Sequence, residues 1–353
     1  MSVSHLNSFA LPGGRLIGQG DVYVIAEAGV NHNGSLDLAL QMVDIAAEAG
    51  ADAVKFQTFK SEALVTASAP KAAYQQEATG EGSQLEMLSR LELDEYAHQR
   101  LLDRCTRRGI TFLSTSFEQQ SADFLESLDV PAFKIPSGEL TNTPLLAHVA
   151  RKGRPMFVST GMAELREVDA AVRCIRDHGN ESIVLLHCLS HYPAPEDEVN
   201  LLAMKTMASK FACPIGYSDH TLGRCVATAA VALGACVIEK HFTVDRQMPG
   251  PDHLASIEPA ELRALVSEIR LVSRALGNGV KRRQRSEEET ARVARKSVVA
   301  TRTIQAGAVI TVADVAILRP GTGLSPAQLS TVIGATAART IHADTPLTAA
   351  DIS

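Results

Sequence analysis

Two histidines, His220 and His241, each close a short β-branched run and can converge on one divalent ion. Neutral imidazole suits manganese, iron, cobalt or zinc. Two protein ligands leave positions open for water and substrate, which is the arrangement of a catalytic site and not a structural one. His187 closes another run, where hydrogen bonding within the core is its expected use. Glu27 closes the first run and is placed to act as general acid or base, to bind a sugar hydroxyl, or to pair with a neighbouring lysine. Lys55 and Lys134 close two more runs, and with Thr115, Ser137 and Ser218 they form a ring of donors suited to phosphate and carboxylate together. The same lysines permit a different chemistry, a metal-free Schiff-base aldolase with a desolvated amine as nucleophile. Lys240 is a third lysine for that role, but its alternation with Glu239 and His241 turns it toward the helical layer or the barrel core.

These residues belong to a wider pattern. Eight apolar runs end in Glu27-Ala28-Gly29, Lys55-Phe56-Gln57, Ser114-Thr115-Ser116, Lys134-Ile135-Pro136-Ser137, Ser159-Thr160-Gly161, His187-Cys188, Ser218-Asp219-His220 and Glu239-Lys240-His241. The strands expected are 22–27, 53–58, 110–115, 132–137, 155–160, 182–188, 214–218 and 235–242. Helical spacing appears at 36–49, 94–108, 143–152, 164–178, 198–210, 222–233 and 259–276. Gly50 follows the first helix as a C-terminal stop, and Asp94 opens the second, whose last turns carry Arg104, Arg107 and Arg108 against the helix dipole. Alternation of strand and helix implies a parallel sheet. Eight units point to a closed (β/α)8 barrel, in which chemistry sits at the C-terminal strand ends about 5 Å apart. No GxGxxG turn follows the first strand, which weakens a dinucleotide-binding alternative. Asn31-His32-Asn33-Gly34 reads as turn geometry. The long insertion 61–93 is either a substrate wall or a surface loop.

Beyond Gly277-Asn278-Gly279 lies a charged run, 281–289, and from about 296 the texture becomes short β runs and turns. Thr303–Ala306 with Thr311–Val315 is echoed by Thr340–Ala343 with Thr348–Ile352, each copy ending in a T-x-x-D unit that suits a capped turn. Two copies suggest a small pseudo-symmetric β domain, since a solenoid needs at least three. The domains expected are a barrel over 1–280, a linker over 281–295 and a small β-rich domain over 296–353.

A net charge of −6 argues against nucleic-acid or anionic-membrane binding, so an anionic substrate needs a local basic cluster. Only 4% of residues are aromatic and none is Trp, which leaves little for base stacking. Cys105, Cys174, Cys188, Cys213, Cys225 and Cys236 form no CxxC pair and read as small buried residues in a reducing compartment. The first residues, MSVSHLNSFALPGG, lack a basic segment followed by an apolar one, and no apolar run is long enough to span a membrane. A cytoplasmic location is expected.

The segments IAEAGVNHNGS (25–35), AVKFQTF (53–59), FLSTSFE (112–118), FKIPSGELTN (133–142), LLHCLSHYPAP (185–195), GYSDHTLG (216–223) and EKHFTVDRQMPGPDH (239–253) resemble the sialic acid synthases. SVVATRTIQAGAVIT…LRPGTG (297–323) resembles their C-terminal antifreeze-like (SAF) domain. The likeness runs in order along nearly the whole chain. It implies condensation of phosphoenolpyruvate with the open-chain aldehyde of an N-acetylated amino sugar. Carbon 3 attacks the aldehyde, water adds at carbon 2, and phosphate leaves. A divalent metal, Mn2+ or Mg2+, would polarise the aldehyde oxygen. By motif, His220 and His241 would be the metal ligands. Lys55, Thr115, Lys134, Ser137 and Ser218 would hold phosphoenolpyruvate. Glu27, Gln57, Tyr192 and Asp252 would bind the sugar or move protons, and Arg319 would reach the partner's active site in a domain-swapped homodimer. N-acetylmannosamine is the first sugar implied. Where members specific for it carry Asn two residues before the Tyr of the YP motif, this chain has Ser190. The Lys55–Phe59 and Lys134–Ser137 forms recur in members that make legionaminic acid. The alternative is therefore 2,4-diacetamido-2,4,6-trideoxymannose, the N,N'-diacetyllegionaminate synthase reaction. A carbohydrate-binding protein that keeps the fold without catalysis is a further reading, against which the complete set of rim residues argues.

Overall fold

The computed structural model describes residues 8–353, so the leader reading falls partly outside the described residues. Two compact units divide the chain at Gly277–Asn278. The first opens with a hairpin, β1 (Phe9–Ala10) and β2 (Leu16–Ile17), then builds eight parallel strands. These are β3 (Tyr23–Gly29), β4 (Ala53–Thr58), β5 (Thr111–Ser116), β6 (Phe133–Ile135), β7 (Met156–Ser159), β8 (Ile183–His187), β9 (Ile215–Asp219) and β10 (Val237–His241). They close in sequence order, with β10 pairing both β9 and β3. The expected strands are all present, shifted by a residue or two at their ends.

Period-two alternation sorts each strand into two faces. Tyr23, Ile25, Ala53, Leu113, Ala132, Phe157, Val184, Leu186 and Val237 form one cluster that fills the barrel, and Leu11 and Ile17 of the hairpin join it. Gly216 sits inside the ring, where an added Cβ would meet Leu186 Cδ2 at 2.6 Å and Val237 Cβ at 2.7 Å. The opposite faces pack on the helices in a larger cluster that includes Val24, Val54, Phe112, Phe133, Val158 and Ile238. Continuing the inward parity one step up each strand reaches Glu27, Lys55, Thr115, Lys134, Ser159, Ser218 and Glu239. The filled barrel thus carries its polar groups at the C-terminal mouth.

The outward parity carries one buried ion pair. Lys240 Nζ lies 2.8 Å from Asp219 Oδ2, with both side chains inaccessible to solvent, and it also donates to the Thr221 carbonyl. The barrel's third lysine is therefore tied into the helical layer and plays no part at the mouth. Asp219→Ala leaves a buried ammonium without its counter-ion. It should lower the stability of the barrel unit by about 3–5 kcal/mol, measured as a shift in its denaturant midpoint; a midpoint unchanged from the parent would contradict this.

Helices connect the strands, and two groups of them were not expected from sequence. Gln119–Ser127 lies between β5 and β6, capped by the Glu118 carboxylate on Ser121 N. The insertion folds into three short helices, Ser61–Leu64, Ala73–Thr79 and Gln84–Ser89. Their ends are fixed locally: Ala72 N donates to Gln75 Oε1, and Ser83 and Glu86 bond reciprocally. No helix among the described residues is long and apolar enough to cross a membrane. All six cysteines are free. Cys105, Cys188 and Cys213 are buried as expected, but Cys174 and Cys236 are half-buried, and Cys225 is exposed because it opens a helix on its solvent side.

In the second unit β11 (Ser297–Ala300) pairs antiparallel with β12 (Val315–Leu318). The repeat seen in sequence is a structural one. Ile304 and Ile341, equivalent residues of the two copies, exchange backbone hydrogen bonds of 2.8 and 2.9 Å. Asp314 accepts from Thr311 N and pairs with Arg302, and Asp351 accepts from Thr348 N and pairs with Arg339. The charged segment 281–295 carries the helix Glu288–Ala294, and Gly321 N donates to Arg292 O. An added Cβ on Gly321 would meet Arg295 Cβ at 2.6 Å, so this close approach needs glycine.

Candidate active site

A cavity of about 450 Å3 opens at the C-terminal ends of the strands, a volume suited to small-molecule binding. It gathers Glu27, Lys55, Gln57, Thr115, Lys134, Ser137, Ser190, Tyr192, Ser218, His220, His241 and Asp252. Every barrel residue that the family resemblance assigned to the site is therefore in one place, while the candidates His187 and Lys240 lie outside it. Arg319 lies on the second unit, exposed, just after β12.

Strand pairing explains the arrangement. Glu27 faces Lys55 in register between β3 and β4, Thr115 faces Lys134 between β5 and β6, and Ser218 faces Glu239 between β9 and β10. Lys55 Nζ lies 2.6 Å from a Glu27 oxygen and donates to Thr115 Oγ1 at 2.7 Å. Lys134 Nζ donates to Ser159 Oγ at 2.7 Å. Glu239 stands between the two ammoniums, 3.6 Å from Lys55 and 3.8 Å from Lys134, and accepts from Ser218 Oγ at 2.9 Å. Ser137 Oγ accepts from Gly161 N at 3.0 Å beside Cys188 Sγ. A Cβ on Gly161 would fall 2.2 Å from Ser190 Oγ and 2.8 Å from Ser137 Oγ, so bare backbone shapes this end of the cradle.

Glu239 and Ser159 are the functional-site residues that sequence reasoning missed. The signal for Glu239 was available: alternation along β10 puts it on the same side as His241, one residue from the lysine that faces away.

Burial and charge work against each other here. Burial raises the Glu27 carboxyl well above the ordinary carboxylate range, although Lys55 pulls the other way. Burial also opposes ionisation of Glu239, but Lys134 and Lys55 outweigh it and hold this group ionised. Lys55 is buried too, yet Glu239 and Glu27 raise it, so it stays an ammonium. A charged Lys55 suits an anion site and not a Schiff-base nucleophile, which must be neutral. Lys134 is lowered, chiefly by burial. Asp252 is pushed up to about 6 by burial alone.

The two histidines stand at the ends of β9 and β10, His241 in register with Glu27 of β3. Their ring centroids are 5.5 Å apart, and burial keeps both neutral, His220 being pushed down to about 4 and His241 well below its ordinary value. His220 Nδ1 lies 2.6 Å from the Leu189 carbonyl, an acceptor only, so this nitrogen carries the proton and Nε2 presents its lone pair. His241 Nδ1 is buried with no hydrogen-bond partner among the described residues. Two neutral imidazoles, one oriented by a carbonyl and one with an orphaned nitrogen, fit a divalent cation. No group of three or more His, Cys, Asp or Glu placed to hold a metal ion occurs among the described residues, so an ion held by the two imidazoles would keep most positions open. His187, by contrast, bonds through Nε2 to Val199 O at 2.7 Å in the core, as expected. Tyr192 stacks on His220 with centroids 4.2 Å apart.

Comparison with known proteins places this geometry in a lineage. Residues 42–281 match the model of the NeuB family and residues 295–353 that of the SAF domain. Over 330 residues the sequence is 49% identical to the N,N'-diacetyllegionaminic acid synthase of Legionella pneumophila, covering 92% of this chain and 93% of the relative. The N,N'-diacetyllegionaminic acid synthase of Campylobacter jejuni is 45% identical over 324 residues, covering 91% and 97%. Among solved structures, the N-acetylneuraminic acid (sialic acid) synthetase of Leptospira borgpetersenii superposes with a TM-score of 0.71 at 36% identity, covering 80% of this chain and 95% of that one.

Proposed function

This chain belongs to the NeuB family and carries a SAF domain, and on that premise we propose that it condenses phosphoenolpyruvate with 2,4-diacetamido-2,4,6-trideoxymannose to give N,N'-diacetyllegionaminate and phosphate. The enzyme class, a phosphoenolpyruvate-dependent nonulosonic acid synthase, follows from the family and its relatives. The choice of sugar departs from the first expectation, N-acetylmannosamine. Full-length identity of 49% and 45% to two diacetyllegionaminic acid synthases is the observation that carries it.

In this reading the ammoniums of Lys55 and Lys134, with Thr115, Ser137, Ser159 and Ser218, hold the phosphate and carboxylate of phosphoenolpyruvate. Glu239 serves as their counter-charge and keeps both lysines aimed into the cavity before substrate arrives. His220 and His241 would hold a divalent cation, Mn2+ or Mg2+, which when bound supplies Lewis-acid polarisation of the aldehyde oxygen. Glu27 gives its proton to that oxygen as carbon 3 bonds to the aldehyde carbon. Water then adds at the electron-poor carbon 2, and its proton returns to Glu27. The carbon 2 hydroxyl passes its proton to the departing phosphate as the bond from carbon 2 to the phosphate oxygen breaks, leaving a ketone and free phosphate. Burial of Glu27 suits this role, because it keeps a proton available near neutral pH. Gln57, Ser190, Tyr192 and Asp252 orient the sugar, and holding both reactants in attack geometry lowers the barrier by several kcal/mol. A domain-swapped homodimer, with Arg319 contacting the sugar in the partner's barrel, and a cytoplasmic location complete the reading.

Phosphate release with phosphoenolpyruvate, Mn2+ and each sugar in turn tests it. The diacetamido sugar should show at least about a tenfold advantage in kcat/KM, the low end of what a single apolar contact is worth. An advantage for N-acetylmannosamine would overturn the assignment.

A further inference from the structure

One wall of the cavity is built by the insertion 61–93, and its chemistry differs from the rest of the lining. Leu64, Met87, Leu88 and Leu91 present apolar surface, and among them stand two amides, Gln75 and Gln84. Met87 and Leu91 form a separate hydrophobic cluster with Val30 and Phe59, which seats the insertion on the barrel rim. Gln75 is fixed by accepting from Ala72 N at 3.0 Å and from Gln84 Nε2 at 3.3 Å. Gln84 therefore directs its amide nitrogen to Gln75, and its carbonyl oxygen has no protein partner among the described residues. Gln75 Nε2 has only a long contact of 3.4 Å to Tyr74 Oη. With its nitrogen committed to Gln75, Gln84 is left with an acceptor oxygen that suits an amide N–H.

A chain of rings sets the distance from this wall to the chemistry. Tyr74 lies 5.3 Å from Tyr192, which lies 4.2 Å from His220. These ring contacts join the insertion to the histidine end of the same cavity. A sugar with its aldehyde at the histidines places its distal carbons against the insertion.

Resting on the function proposed above, we infer that Gln75 and Gln84 form the specificity site for the second acetamido group of the sugar. Gln84 Oε1 accepts from the acetamido N–H, and Gln75 Oε1 holds the Gln84 amide in place. The acetyl methyl and the 6-deoxy methyl lie against Leu88 and Met87, where a hydroxyl would be left unpaired. A sugar with a hydroxyl at carbon 4 leaves the amide pair without its partner.

Kinetics of Gln84→Ala with both sugars decides this. Alanine is a strong helix former, so the short helix that Gln84 opens persists. The variant should lose about 10–100-fold in kcat/KM for the diacetamido sugar, with a much smaller change for N-acetylmannosamine, so that the ratio of the two collapses. A parental enzyme that prefers the diacetamido sugar together with a variant that keeps the full ratio overturns the inference and leaves the function standing. Equal loss on both sugars also overturns it, as general damage to the wall. A parental enzyme that prefers N-acetylmannosamine removes the function reading, and this inference with it.

Discussion

Glu27→Gln should cut kcat by about 10²–10⁴-fold, the range for a positioned proton donor, with the barrel intact by circular dichroism. The substitution preserves shape while removing the exchangeable proton and the carboxylate that Lys55 Nζ meets at 2.6 Å. Lys55 keeps its pairing with Glu239 and its bond to Thr115, so the KM for phosphoenolpyruvate should not rise. Separation of kcat from KM is the discriminating readout. A residue that merely anchored Lys55 would weaken phosphoenolpyruvate binding when altered, whereas a proton carrier slows turnover with the substrate still held. Turnover like that of the parent enzyme would remove Glu27 from the mechanism.

His241→Ala should abolish both turnover and tight Mn2+ binding. With only two imidazoles at the mouth, losing one leaves a single protein ligand, too few to hold a first-row divalent ion against water. Manganese binding is followed directly by the paramagnetic signal of the free ion, independently of activity. The parent should bind about one ion per chain and the variant none at the same concentration. The imidazole's Nδ1 is buried without a hydrogen-bond partner among the described residues, so its removal costs no bond at that atom. Undiminished binding would show that the ion sits elsewhere and that the orphaned nitrogen has another purpose.

Much of this site was legible in the chain because strand ends in a parallel barrel are where polar residues interrupt apolar runs. Lys55, Lys134, His220 and Glu27 stood out for that reason, and the structure brings them to one cavity. Glu239 and Lys240 show where that reasoning stops. Alternation sets Glu239 with His241 on one face and Lys240 on the other, but the sequence does not say which side chains of other strands each of them meets. The strands of a closed parallel barrel are buried on both sides, so hydrophobicity does not distinguish one face from the other. Only the register of β10 against β3 and β9 turns Glu239 toward the two ammoniums and Lys240 toward Asp219. The helix Gln119–Ser127 escaped for a simpler reason, since its polar residues interrupt the apolar spacing.

The amino-acid sequence by itself determined the eight repeating units, the kinds of side chain at their ends, and the duplicated T-x-x-D turns of the second unit, because all of these are local in the chain. Tertiary structure alone decided which lysines meet which carboxylates, that the insertion supplies a wall with two amides, and that the N-terminal hairpin closes the bottom of the barrel. Those outcomes depend on ring closure and on contacts between residues far apart in sequence, where neither period nor composition carries the information.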